Sequence, residues 1–305
     1  MDSVSSTPQP TSTAGDSADT GVTVRCAGVR GSIPSPGPYT VRYGGNTSCV
    51  ELCSGSTRLL LDAGSGIRAL GRELASGDVK EHTILLTHFH WDHIQGFPFF
   101  GPLHDPACHL RVFAPGQPKA DVRQLFERQM DPAFFPVPLE AAAARLTFHE
   151  ASEGPVEGLG AVVHAMRVRH PSHVLGYRIE LEGRVVCYVP DNELASTGYD
   201  LGPRWREEMI EFVGDADLLI HDAMYTESEY ENREGWGHST FRQAVRLAED
   251  AGVRRLLFFH HDPARTDEQL DRIVHTLREH VAARGSRVEL EAASEASSFH
   301  VEPRA

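Results

Sequence analysis

Between Thr87 and His93 the chain reads Thr-His-Phe-His-Trp-Asp-His, placing three imidazoles and a carboxylate within six positions. The apolar run Thr83-Ile84-Leu85-Leu86 directly precedes it. Side chains two apart on an extended chain share a face, so His88 and His90 can reach one cation together. Asp92 and His93 fall on the following turn, where the change of direction aims them at a second cation. Imidazole and carboxylate ligands suit Zn²⁺, Mn²⁺ or Fe²⁺, and two such ions about 3.5–4 Å apart clamp the attacking and leaving oxygens of a displacement. The spacing points to half of a two-metal centre, and the other half must come from elsewhere in the chain.

Partners for such a centre belong at strand ends, where a rigid sheet hands over to loops. His170 follows the apolar segment 162–168, Asp191 ends Val185-Val-Cys-Tyr-Val-Pro190, and His260 ends Leu256-Leu-Phe-Phe259. Asp191 can bridge two cations with its two oxygens while imidazoles complete the coordination. His221 and Asp222, after Leu218-Leu-Ile220, are further strand-end polar groups that could support the ligands.

The elements that must position these residues read as follows. Segments 22–26, 48–53, 58–61, 176–181, 185–189 and 255–259 carry short apolar runs ended by turn residues, the mark of strands. Segments 121–130, 241–251 and 267–283 have helical periodicity; Phe241, Ala244, Val245 and Leu247 share a face, with Ser239-Thr240 before them and Gly252 after. Strands and helices interleave, which indicates an α/β class. The Gly- and Pro-rich stretch 28–47 is read as either a ligand-lining or a surface loop. The prolines of 131–138 forbid regular structure and leave a buried aromatic loop or a lid. Residues 1–21 are rich in Ser, Thr, Pro and Asp and read as a disordered tail, with one domain over 22–303.

The 305 residues include 29 Lys and Arg against 43 Asp and Glu, a formal charge of −14. That balance argues against strong nucleic-acid binding, which needs basic patches to neutralise phosphates. A small anionic substrate met by metal ions remains compatible with it. The five cysteines form no disulfide framework, and Cys49 and Cys53 would sit about 13 Å apart along a strand, too far to bridge. A reducing cytoplasm is the expected compartment. Neither a secretory signal nor a membrane span is visible.

With Asp62 in Leu59-Leu-Leu-Asp-Ala-Gly64 upstream and His170, Asp191 and His260 downstream, the pattern His88-x-His90-x-Asp92-His93 resembles the metallo-β-lactamase superfamily from about residue 22 to 302. The resemblance implies a four-layer αββα sandwich with a dinuclear site at one edge of two mixed sheets. It implies that His88, His90 and His170 hold one metal, that Asp92, His93 and His260 hold the other, and that Asp191 bridges. Zinc is the expected metal, with manganese or iron as alternatives. His170 is preferred to His173 for its distance to Gly176-Tyr177, and His260 to His261 because it directly follows its strand. Asp62 would orient the ligand loop.

Gly237-His238-Ser239-Thr240 is similar to the phosphodiesterase side of the superfamily, which includes transfer RNA 3′-processing endonucleases and cyclic phosphodiesterases. The catalytic group so implied is His238, Asp92 and Asp62, with His238 donating a proton to the leaving oxygen or stabilising phosphorane-like charge. The bacterial processing endonucleases carry an arm between the third ligand and the bridging aspartate, whereas only 21 positions separate His170 from Asp191 here. The expectation is therefore hydrolysis of a cyclic nucleotide or other small phosphodiester by a hydroxide bridging the two metals. The alternatives are a thioesterase- or lactonase-type hydrolase and a transfer RNA 3′-processing endonuclease. Homodimerisation stays open. His82, His104, His109, His149, His164, His275, His280 and His300 give no reason to prefer function over surface.

Overall fold

The computed structural model describes residues 21–302 apart from 119 and 296, so all but Gly21 of the tail predicted for 1–21 lies outside the described residues. The chain opens with β1 (Val22–Gly28), β2 (Cys49–Ser54), β3 (Thr57–Leu61), β4 (Glu81–Leu85), β5 (His109–Pro115) and β6 (Arg145–Ala151). Next come β7 (Gly154–Pro155), β8 (Val162–Arg167), β9 (Leu175–Leu181), β10 (Arg184–Val189), β11 (Leu218–Asp222), β12 (Arg255–Phe259) and β13 (Glu289–Ala292). The last strand, β14 (Ser298–Val301), returns to pair with β1. Two seven-stranded mixed sheets result, ordered β14-β1-β2-β3-β4-β5-β6 and β13-β12-β11-β10-β9-β8-β7.

The apolar runs are continuous because most central strands are covered on both faces. Leu59 and Leu61 of β3 enter a core shared by the two sheets, where they meet the side of Tyr177, Tyr188, Leu257 and Phe259, whereas Leu60 joins an outer core. The second sheet alternates in the same way: Leu257 and Phe259 face inward, Leu256 and Phe258 outward.

The outer cores are closed by helices. On the first sheet lie α1 (Ile67–Ala75), the single turn α2 (Trp91–Ile94) and α3 (Val122–Gln129). On the second lie α4 (Trp205–Phe212), the short α5 (Glu227–Tyr230), α6 (Phe241–Asp250) and α7 (Asp267–Ala283); Trp205, Met209, Val245, Leu247, Leu270 and Val274 fill that outer core. This is the αββα sandwich. Capping boxes at Asp121/Gln124, Thr240/Gln243 and Thr266/Gln269 fix where α3, α6 and α7 begin, each satisfying backbone donors that a helix start leaves open.

Strand direction then places the chemistry. β3 and β4 run parallel, and so do β10, β11 and β12, so their C-terminal ends emerge along the same edge of each sheet. Asp62, the histidine motif, Asp191 and His260 follow those ends, and Asp222 is the last residue of β11.

Candidate metal centre

The histidine motif leaves β4 through Leu86 and Thr87, and α2 starts at Trp91 with His90 as its N-cap residue in extended conformation. His88 and His90 therefore sit on the extended stretch while Asp92 and His93 sit on the helical turn. Asp62 and His260 both adopt left-handed backbone, with φ of 60° and 58°. Such conformations are unfavourable for residues with a Cβ and persist where surrounding structure over-determines them.

Seven side chains converge. Asp191, 2% exposed, has Oδ2 3.8 Å from His88 Nε2 and 3.9 Å from His170 Nε2. Its Oδ1 lies 3.0 Å from His93 Nε2 and 3.3 Å from His260 Nε2. His90 Nδ1 is 3.2 Å from His170 Nε2, and Asp92 Oδ2 is 3.0 Å from His260 Nε2 and 3.4 Å from His93 Nε2. Two within-reach groups take in the predicted ligands, His88, His90, His170 with Asp191 and Asp92, His93 with His260, and a third, Asp191, His238 and His260, overlaps them. His173 and His261 stay out of both: the His173 carbonyl accepts from Gln117 Nε2, and His261 Nε2 donates to the Ala293 carbonyl at 2.9 Å.

Two of the imidazoles are oriented by their other nitrogen. His170 Nδ1 donates to the Gly237 carbonyl at 3.0 Å, and His93 Nδ1 donates to Asp62 Oδ2 at 2.7 Å. Asp62, fully buried, also accepts from Thr87 N at 2.7 Å and Tyr188 OH at 2.9 Å. It stands one ring away from the cluster and acts on it through His93 and the Thr87 backbone. The loop 28–47 lines the site: Ser32 N donates to Asp92 Oδ2 at 2.7 Å, and a Cβ on Gly31 would fall 2.4 Å from His260 Nδ1.

The 131–138 segment is not buried. Phe134 is 81% exposed, Phe135 packs edge-on against Phe99 at 5.4 Å, and the two help wall an open apolar groove of about 490 Å³ beside Trp91.

His238 adjoins the cluster, its ring stacked 4.9 Å from that of His260, and its Nδ1 donates to Asp222 Oδ2 at 2.6 Å. Burial alone would lower its pKa, but Asp222 beside it and the more distant Asp191 and Asp92 raise it to about 9. Asp222 is held in turn by Ser239 N at 3.2 Å and Met224 N at 3.1 Å. His221 does not reach the cluster: its Nδ1 donates to the Asp222 carbonyl at 2.7 Å. Sequence reasoning placed Asp222 among possible supports but missed its pairing with His238, and it missed Ser32, Tyr188, Glu193 and Asn192, whose backbone N–H donates to Asp222 Oδ2 at 3.4 Å. The position of Asn192 and Glu193 directly after Asp191 was the available signal.

A family model described as the beta-lactamase superfamily domain matches residues 57–261. The chain belongs to that superfamily. Ribonuclease Z of Methanosarcina acetivorans is 27% identical over 268 residues, covering 73% of this chain and 84% of that protein. The metallo-beta-lactamase fold protein YhfI from Bacillus subtilis matches at a TM-score of 0.65 and 20% identity, covering 92% of this chain and 99% of that one. A diphosphatase from the PhnP family matches at a TM-score of 0.64 and 18% identity, covering 92% and 98%. The two solved structures share the superfamily's fold with this chain.

The superfamily fold implies divalent metal ions, and the cluster fits them. His88 Nε2, His93 Nε2 and Asp191 Oδ1 are buried without a hydrogen-bond partner, a costly state for polar atoms that a cation relieves. Metal–ligand bonds of about 2.0–2.2 Å in tetrahedral geometry put neighbouring ligand atoms roughly 3.3 Å apart, close to the separations around Asp191. Burial pushes His170 down to about 4 and His88 well below its ordinary range, so these rings offer lone pairs rather than protons.

Proposed function

We propose that this protein is a metal-dependent hydrolase that cleaves a small phosphodiester, with a cyclic nucleotide as the leading candidate. The observation that carries the reading is the His238–Asp222 pair, 2.6 Å apart, set against the His260 face of the candidate metal cluster. His88, His90 and His170 would hold one cation, Asp92, His93 and His260 the other, and Asp191 would span both; zinc suits this nitrogen-rich set. Bound there, the cations would supply the positive charge that stabilises phosphoryl oxygens and makes water acidic enough to attack at neutral pH.

The chain's own residues supply the proton. Hydrolysis forms one P–O bond to water and breaks another to the leaving alkoxide, which needs a proton as it departs. His238, its Nδ1 proton held by Asp222, carries a second proton on Nε2 and delivers it to that oxygen. Asp222 stabilises the imidazolium before transfer and keeps the ring in one tautomer afterwards.

Two features support a small substrate. The stretch from His170 to Asp191 is filled mainly by the β9–β10 hairpin, and the net charge of −14 offers little to a polyanion. The names of relatives favour a second reading, transfer RNA 3′ processing, and a third keeps the fold but cleaves a carboxylic or thioester. Five unpaired cysteines support a cytoplasmic location, and no helix among the described residues is long and apolar enough to cross a membrane.

The test is turnover of metal-loaded protein on 3′,5′- and 2′,3′-cyclic nucleotides, a bis-aryl phosphate, precursor transfer RNA, a lactone and a thioester. Preferred cleavage of precursor transfer RNA, or of the lactone or thioester, would replace the small-phosphodiester reading.

A further inference from the structure

Glu193 lies two residues beyond Asp191 and is completely buried, yet no step above uses it. Its carboxylate collects four donors. Oε1 accepts from Tyr230 OH at 2.7 Å and Gly235 N at 2.7 Å, and Oε2 from Tyr199 OH at 2.7 Å and Gly237 N at 2.8 Å. All four are neutral, and Glu193 forms no ion pair among the described residues. A buried carboxylate with no direct ion pair, Arg169 acting on it only through space, is an expensive way to hold a loop, since neutral packing would do the same with less desolvation.

What it holds explains the choice. Gly235 and Gly237 have φ of 85° and 92°, and Trp236 N closes the turn onto the Arg233 carbonyl at 3.1 Å. The Gly237 peptide closes on the edge of His170: its carbonyl accepts the His170 Nδ1 proton at 3.0 Å, and a Cβ at position 237 would stand 2.2 Å from that same nitrogen. The next residue is His238. Glu193 thus pulls on the N–H of the residue whose carbonyl fixes the His170 tautomer and whose neighbour is the proposed proton donor.

We infer that Glu193 is a positioning residue, clamping the 235–237 turn so that His170 presents Nε2 to the His88/His90 side of the cluster and His238 stays over His260. Two oxygens accepting from two backbone N–H groups require a carboxylate. A glutamine offers one accepting oxygen, and its amide would confront either Gly235 N–H or Gly237 N–H with another donor. The tyrosine hydroxyls can rotate to adapt; the backbone donors cannot.

The inference rests on the metal reading above, and the test separates the two. Full-length protein stripped with chelator is titrated with Co²⁺ and followed by its visible absorption, while ¹H–¹⁵N correlation follows the His170 Nδ1–H signal. The Glu193→Gln variant is expected to keep one cobalt equivalent near wild-type affinity and to bind the other about 10–100-fold more weakly, with the His170 signal lost to exchange. Glu193→Asp, which keeps the charge but shortens the reach, should show the same selective loss and serves if the glutamine variant does not fold. Both equivalents bound at wild-type affinity, with an unchanged His170 signal in a folded variant, would overturn the assignment. Equal weakening of both equivalents would also overturn it, since that marks general loosening. If wild-type protein takes up no cobalt, the metal reading fails, and the His170 signal alone decides the role of Glu193.

Discussion

One oxygen of Asp62 accepts the His93 Nδ1 proton at 2.7 Å while the other accepts the Thr87 N–H at 2.7 Å. A single carboxylate thereby sets both the ring of the last histidine in the motif and the backbone from which the first one projects. Replacing Asp62 by Asn keeps the shape but offers an amide donor to a nitrogen that now donates. Metal affinity is expected to fall about 10–100-fold. Titration of chelator-stripped protein with zinc checks this, and an Asn variant with wild-type affinity would refute it.

Removal of Asp191 takes away a carboxylate whose two oxygens approach both halves of the cluster. Asp191→Ala should bind no more than one equivalent of metal and lose turnover with it. Ligands that bind only the folded state stabilise it by about 2.7 kcal/mol at a hundredfold excess over Kd. Chelator should accordingly lower the melting temperature of the wild type by several degrees and that of the variant much less, as read by calorimetry.

His238→Gln removes the proposed proton donor while keeping a polar side chain of similar length beside His260. The expected loss in kcat is about 10²–10⁴-fold for an ester with an alkoxide leaving group. A nitrophenolate departs without a proton and should lose far less. Asp222→Asn should follow the same pattern. Equal losses on both substrates would show that His238 does something other than protonate the leaving oxygen.

Acid stability should depend on a histidine outside the site. His82 on β4 is 1% exposed, neither ring nitrogen has a partner, and burial, aided by Arg58 and Lys80, pushes its pKa down to about 4. Because the folded value lies below the ordinary 6.5, the unfolded chain takes the proton first as pH falls. The stability contribution is therefore complete above about pH 6.5 and is lost between there and about pH 4, amounting to roughly 3 kcal/mol. The drop in urea midpoint from pH 7 to pH 5 should be smaller in His82→Leu than in the wild type. An unchanged pH dependence in that variant would rule this histidine out.

The sequence carried the site further than it carried the fold's edges. Strands buried on both faces, such as β10 and β12, are legible because burial demands unbroken apolar runs, and β4 announces itself through the motif it launches. β6 is mostly half-exposed or exposed, so Arg145, His149 and Glu150 dilute its pattern, and Gly71 interrupts α1 where a Cβ would meet Phe100 at 2.6 Å. Among the histidines grouped as surface-like, His82 is the one the fold buries; its neighbours in sequence gave no cue to a ring packed edge-on against Phe100 at 5.9 Å. The support of His238 by Asp222 and of Gly237 by Glu193 spans 16 and 44 positions, distances across which no local pattern operates.

The alternation of Leu257 and Phe259 inward with Leu256 and Phe258 outward has a consequence for how such a centre can change. Since β12 delivers His260 at the next position, a one-residue slip would exchange the two apolar faces and swing the imidazole away together. The close-packed interior is thus the ruler against which the polar edge is measured. Lengthening a connecting loop leaves that ruler intact, so new substrates are reached by editing loops such as 28–47 and 131–138, whereas a single deletion inside β12 should erase packing and metal affinity in one step.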